Sequence, residues 1–130
     1  MLTVTVISFS YKKGYPASCD DNGGGFVFDC RFLNNPGRHE QYKALTGKDQ
    51  PVINFLHENS TIDRFLEHVW SIIDEAIEVY QLRGFTSLQI AFGCTGGQHR
   101  SVFSAEHTAR HILDKFENIG VNLIHREQDR

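Results

Sequence analysis

The run Gly93-Cys94-Thr95-Gly96-Gly97-Gln98-His99-Arg100-Ser101 gathers residue types that handle oxyanions. Glycines let the backbone turn successive N–H groups toward one point, and a helix that follows adds partial positive charge at its N-terminus. Arg100 supplies a planar fork of donors suited to phosphate, sulfate or carboxylate. Thr95, Gly96, Gly97, Gln98, His99, Arg100 and Ser101 are therefore the expected ligand-binding residues of an anion cradle. The plain alternative is an ordinary strand-to-helix turn in which Arg100 only caps or pairs.

Cys94, Gly97, Arg100 and Ser101 also fall on the spacing C-x-x-G-x-x-R-S, which resembles the phosphate loop of cysteine-dependent phosphatases. A thiolate at a helix N-terminus beside an arginine is acidified and nucleophilic. Cys94 as nucleophile, with Asp29 or His99 as general acid, is thus the enzymatic alternative. The histidine that usually precedes the cysteine is Gly93 here, so the spacing speaks for phosphate binding more than for turnover. On this reading no catalytic residue is assigned and no cofactor is expected.

Positioning such a loop takes a strand before it and a helix after it. Leu88 to Phe92 reads as the strand, and Ser101 to Phe116 as an amphipathic helix with Val102, Ala105, Ala109, Ile112, Leu113 and Phe116 on one face, ended by Gly120. Leu2 to Phe9 and Phe26 to Leu33 read as earlier strands, and Val121 to His125 as a last one. The loop Ser10 to Gly25 closes on Gly23-Gly24-Gly25 as a flexible connector, and Asn34-Asn35-Pro36-Gly37 breaks the second strand. A short helix is expected from Val52 to Glu58. A long one follows, on which Phe65, Leu66, Val69, Ile72, Ile73, Ala76, Ile77 and Tyr80 repeat at three- and four-residue steps. Thr61 is its expected N-cap and Gly84 its stop. Alternating strands and helices predict an α/β fold, with a mostly parallel sheet flanked by helices and ligands at the carboxyl ends of the strands.

Asp29 and Arg31 stand out in an otherwise apolar segment, where alternation would put both on one face of a strand. An unpaired guanidinium there is costly, so Arg31 is expected to pair with Asp29, a ligand, or both. His107 and His111 lie four apart, but no third ligand follows nearby in sequence, so surface positions and no metal are expected. Lys12 and Lys13, after the first strand, read as solvated surface or further anion contacts. His125-Arg126 reaches the same sheet end if its strand is parallel.

With 130 residues, 1–130 form one expected domain of ordinary composition, 40% hydrophobic and 22% charged. Cys19, Cys30 and Cys94 are too sparse for a disulfide scaffold, so reduced thiols are expected. There is no bilayer-length apolar run and no charged-then-apolar leader at Met1, from which a cytoplasmic location is expected. The net charge of −3 argues against nucleic acid as the main ligand, because neutralising several phosphates normally needs a basic excess. An RNA or protein adapter acting through a local basic face is the third expectation.

Four segments in order, Phe9-Ser10-Tyr11-Lys12-Lys13-Gly14-Tyr15-Pro16, Phe28-Asp29-Cys30-Arg31-Phe32-Leu33-Asn34-Asn35-Pro36, Leu45-Thr46-Gly47-Lys48-Asp49 and the Gly93 to Ser101 run, resemble the C-terminal domain of the RNase adapter RapZ. The resemblance spans Leu2 to about Arg126. It implies a fold similar to a phosphofructokinase subdomain and a pocket for an amino-sugar phosphate, glucosamine-6-phosphate. Asp29 and Arg31 match the family's Asp-x-Arg-Phe-Leu motif, and Thr95, Gly96, His99 and Arg100 match its anion loop. Family members present small RNAs to an endoribonuclease, which implies RNA and protein partners. The sequence departs from the family in three places. No Walker-type nucleotide loop is present, so ATP or GTP binding is not carried over, and a separately encoded nucleotide-binding protein is one expected partner. The tail Ile124 to Arg130 alternates in sign, and Gly37-Arg38-His39 follows the Asn-Pro where the family pattern differs. The expectation that results is a phosphosugar- or phosphate-binding sensor module.

Overall fold

A computed structural model describes residues 1–18 and 22–128. Cys19 and the middle of the expected Ser10 to Gly25 loop lie outside the described residues. Strands β1 (Leu2–Ser10), β2 (Phe26–Asp29), β3 (Ser87–Cys94) and β4 (Ile119–His125) form one sheet in the order β2-β3-β1-β4, with every pairing parallel. Helices α1 (Gln50–Asn59), α2 (Ile62–Leu82) and α3 (Arg100–Lys115) complete the α/β fold, joined by short 3-10 turns at Tyr11–Lys13, Pro36–Arg38 and Glu40–Tyr42.

The apolar periodicity of α2 buries Ile62, Leu66, Val69, Ile73 and Ile77, while Ile72, expected on the same stripe, is half exposed. Leu113 likewise turns outward on α3, whose buried side carries Val102, Phe103, Ala105, Ala109 and Ile112. The buried α2 residues and Phe103, Ala105, Ala109 and Ile112 of α3 join Val4, Val6, Leu88, Ile90 and Phe92 in one core, each large buried aliphatic side chain contributing about 1.5–3 kcal/mol. The opposite sheet face holds the smaller cluster Ile7, Phe9 and Ala91, against which Tyr11 packs.

Two expected boundaries shift for local reasons, and one expected N-cap keeps its position without its side-chain bond. β2 stops at Asp29, four residues before Leu33, because the Asp29 carboxylate accepts the Arg31 backbone N–H at 2.8 Å and turns the chain. Thr61 sits at the N-cap of α2 with no side-chain cap. Ser60 does the work instead, its Oγ accepting from Ile62 N at 3.2 Å and donating to Leu56 O at 2.6 Å, which ties α1 to α2. Gly120 does not end α3; the chain reverses at Asn118 with φ 58°, and Gly120 is already in β4 opposite Thr3.

Because all the strands run the same way, their carboxyl ends share one edge. Ser10 pairs with Cys94, Asp29 with Gly93 and Ser8 with His125. The segments following β1, β2 and β3 therefore leave the sheet side by side.

Candidate functional site

Those segments enclose a two-part cleft. The inner part, about 180 Å³, is lined by Lys12, Asn35, Cys94, Thr95, Gly96 and Arg100, among others. The outer part, about 640 Å³, includes Arg31, Asn34, Arg38, His39 and Asn59 in its wall. Asn35, Thr95 and Arg100 line both, so the two are continuous.

Arg100 is the first residue of α3, at the end where backbone amides have no intrahelical acceptor. It is 4% exposed, and its Nη1 donates to Arg31 O and Leu33 O, each at 2.9 Å. Its buried Nε has no hydrogen-bond partner among the described residues. A buried guanidinium without a carboxylate, with one nitrogen unsatisfied, is costly unless an anion completes its shell. Arg100 also staples the segment after β2 to the head of α3.

The loop around it is braced from behind. Gln98 Nε2 donates to Lys43 O and Leu45 O, both at 2.7 Å, so its side chain is a strap and only its backbone is left to face an occupant. Gly47 N donates to Gln98 O at 3.0 Å, and a Cβ on Gly47 would run into His99 O and, at 2.5 Å, Phe103 N. That close approach accounts for the glycine of Leu45-Thr46-Gly47. Gly97, at φ 64°, lies where a Cβ would meet Ser10 N at 2.9 Å and the Glu127 side chain at 2.7 Å. Glu127 Oε2 accepts from Ser10 N at 2.9 Å, and Ser10 Oγ donates to Thr95 O at 2.5 Å, which links the segment after β4 to the loop. Nothing in the spacing of the sequence signalled Gln98, Gly47 or Glu127 in these roles.

His99 is buried, and its Nε2 donates to Tyr42 O at 2.9 Å. That nitrogen is committed to the protein, so a proton given to an occupant would have to come from Nδ1 of the cationic ring. Ser101 is fully buried and its Oγ accepts from Cys94 Sγ at 3.1 Å. Cys94 is 2% exposed and acts as a donor in this arrangement. Thr95 and Gly96 are exposed at the rim.

Asp29 and Arg31 meet, but across a turn rather than along a strand. Arg31 Nε donates to both Asp29 oxygens at 3.0 Å and Nη2 to Oδ2 at 2.7 Å, while the guanidinium lies 3.8 Å from the centroid of the Tyr11 ring. Burial, aided by the Asp29 charge, pushes the Tyr11 phenol up to about 12, so it stays a donor at neutral pH. The hydrogen bonds from Arg31 hold the Asp29 carboxyl below its ordinary range against the pull of partial burial. The pair is about half exposed, so solvent screens much of its energy. A depressed folded pKa gives a contribution that is present above the unfolded value of about 3.9 and lost as pH falls through the folded one. Arg31 is expected to hold its place on Tyr11 down through pH 4 and to release only below it. An NMR titration of the Arg31 Nε–H resonance reads this, and Asp29→Asn should abolish the acid transition; a release near pH 6 would contradict it.

Elsewhere, His107 stacks on Phe103 with centroids 3.9 Å apart, and His111 bonds Asp74 at 2.9 Å while stacking on Trp70. Both are partly covered rather than fully at the surface, and among the described residues no cluster of metal-ligating side chains forms. β4 is parallel, and His125 and Arg126 do reach the shared edge, where His125 Nδ1 bonds Ser8 Oγ at 2.7 Å and Arg126 N donates to Ser8 O at 3.0 Å. Among the described residues no helix is long and apolar enough to cross a membrane.

The class so defined is a parallel α/β domain with a basic cleft at the carboxyl edge of its sheet. The chain belongs to the RapZ C-terminal domain family, whose model matches residues 2–129. It is similar to proteins named only as nucleotide-binding proteins: 39% identical over 120 residues to one from Glaesserella parasuis, covering 92% of this chain and 40% of that protein. Identity is 38% over 128 residues to one from Geobacillus kaustophilus (98% and 40%) and 41% over 124 residues to one from Thermosipho melanesiensis (94% and 41%). The chain thus spans about 40% of the length of the curated relatives it matches.

Proposed function

We propose that this domain is a regulatory sensor that binds a phosphorylated sugar, of the class glucosamine-6-phosphate represents, without turning it over. The observation that carries this reading is Arg100, buried at the head of α3 beside the cleft, with its Nε unsatisfied and no ion pair among the described residues. Phosphate at a helix N-terminus, held by loop amides and an arginine fork, is a chemically natural occupant. Thr95 and Gly96 stand at the rim, and Lys12 adds charge. Asp29 acts mainly by orienting Arg31, and sugar hydroxyls would meet the asparagines of the outer chamber. Family membership supports RNA and protein partners, a nucleotide-binding unit among them.

Turnover by Cys94 is less well supported. Its thiol is buried and donates to Ser101, whereas a phosphatase needs an exposed thiolate in line with phosphorus. A phosphorus NMR titration of glucosamine-6-phosphate, followed for hours, tests both readings. The ester signal should shift or broaden with no inorganic phosphate growing in, for the wild type and for Cys94→Ser alike. Phosphate release that Cys94→Ser abolishes would replace the sensor by an enzyme.

A further inference from the structure

Cys30 and Cys94 enter the fold as neighbours. The last ladder pair of β2 and β3 is Asp29 with Gly93. Cys30 N then donates to Gly93 O at 2.7 Å, which carries the pairing one step further and sets Cys30 beside Cys94. Both are buried, and both belong to the core under α3. Their thiols meet one face of that helix. Cys94 Sγ donates to Ser101 Oγ at 3.1 Å, and Cys30 Sγ lies 3.6 Å from Ser104 Oγ, three residues further along. Side chains at that spacing have Cβ atoms about 5–6 Å apart, so the sulfurs beneath them are held side by side.

Access separates the two. Cys94 lines the inner chamber together with Thr95 and Arg100, whereas Cys30 is fully buried. A chamber of about 180 Å³ admits hydrogen peroxide, a molecule little larger than water. Burial holds the Cys30 thiol well above its ordinary range, and Cys94 pushes the same way, so Cys30 is not the sulfur that oxidises first.

We propose that Cys30 and Cys94 are a redox modification site, at which peroxide entering through the cleft closes a reversible disulfide under the head of α3. The Cys94 sulfur attacks one peroxide oxygen and the O–O bond breaks, giving Cys94 sulfenic acid and water. The Cys30 sulfur then attacks the Cys94 sulfur, and the departing hydroxide takes the Cys30 proton as a second water. Two thiols and one peroxide thus yield one disulfide and two waters. Neighbouring strands run about 4.8 Å apart, whereas the Cβ atoms of a disulfide sit about 3.8 Å apart. Closure therefore draws Cys30 toward β3 by on the order of 1 Å. Arg31 follows Cys30 directly, and its carbonyl is one of the two that seat Arg100. Oxidation is expected to weaken the hold on a phosphate ester, a consequence that rests on the sensor reading, as the disulfide itself does not.

Intact-mass measurement on the Cys19→Ser protein, whose remaining cysteines are Cys30 and Cys94, tests the site. Peroxide is expected to lower the mass by about 2 Da and to protect both cysteines from alkylation after unfolding, with dithiothreitol returning both. In the same background Cys30→Ser should instead gain about 16 Da at Cys94, in a form that dimedone traps. A thermal melt verifies that this near-isosteric variant folds. Oxygen added at Cys94 while Cys30 stays open to alkylation would overturn the disulfide, as would a bond formed between two chains. Calorimetric titration of glucosamine-6-phosphate into reduced and oxidised protein reads the coupling, with binding at least about threefold weaker after oxidation. Equal affinities would overturn the link to Arg100 and leave the disulfide standing. Binding to neither form would overturn the sensor reading alone.

Discussion

Arg100→Ala is expected to abolish phosphate-ester binding and, at the same time, to lower stability by about 3 kcal/mol. The two effects come from different nitrogens of one side chain. Nη1 holds the carbonyls of Arg31 and Leu33, and removing it leaves those acceptors without their charged donor. Nε, buried and unsatisfied, is the nitrogen an anion would complete. Loss of a buried cation offsets part of the damage, which keeps the cost well under the 5–15 kcal/mol that hold a domain of this size together. A melting temperature lower by roughly 10 °C should accompany the lost binding. Arg100→Lys separates the two roles. A single ammonium keeps the charge but cannot span both carbonyls and the occupant, so binding should weaken even where the melt recovers. Affinity unchanged in a folded Arg100→Ala protein would remove the cradle as the binding site.

Legibility in the sequence follows how far apart the interacting residues lie. Within one element, the signals were sufficient. The three- and four-residue spacing of Leu66, Val69, Ile73 and Ile77 found α2, and the glycine-rich run between an apolar strand and an amphipathic helix located the loop before α3. Parallel order then implied that Asp29, Lys12 and Arg100 leave the sheet at one edge, as the register of β1, β2 and β3 has it. The Asp29–Arg31 pair was legible for an incorrect reason, since a side-chain turn and not strand alternation brings the two together. Braces contributed by other loops were illegible. Gln98 reaches Lys43 and Leu45 across more than fifty residues, and Glu127 reaches Ser10 across more than a hundred. Local composition carries no trace of such contacts, which exist only once the sheet order is set.

Gly93→His would restore the histidine that usually precedes a phosphatase cysteine, and it is expected to prevent folding. Gly93 pairs with Phe9 in β1 and with Asp29 in β2, so it sits in the interior of the sheet. A Cβ there would collide with the Phe9 ring and come within 2.5 Å of Tyr11 Cε2. Phe9 is fully buried, and the Phe9 and Tyr11 rings pack edge to face with centroids 4.9 Å apart, so neither can withdraw without emptying the small core on that sheet face. Overpacking by one or a few methylene groups costs about 1–3 kcal/mol, and an imidazole is far larger. Tyr11 in turn carries Arg31 on its ring, which would pass the damage to the wall of the cleft. Even Gly93→Ala should therefore lower the melting temperature measurably, while Gly93→His should give insoluble or unfolded protein by circular dichroism. A soluble Gly93→His variant with wild-type stability would mean that these aromatics yield readily. It would also reopen Cys94 to activation by a neighbouring histidine, and hence the enzymatic reading of the loop.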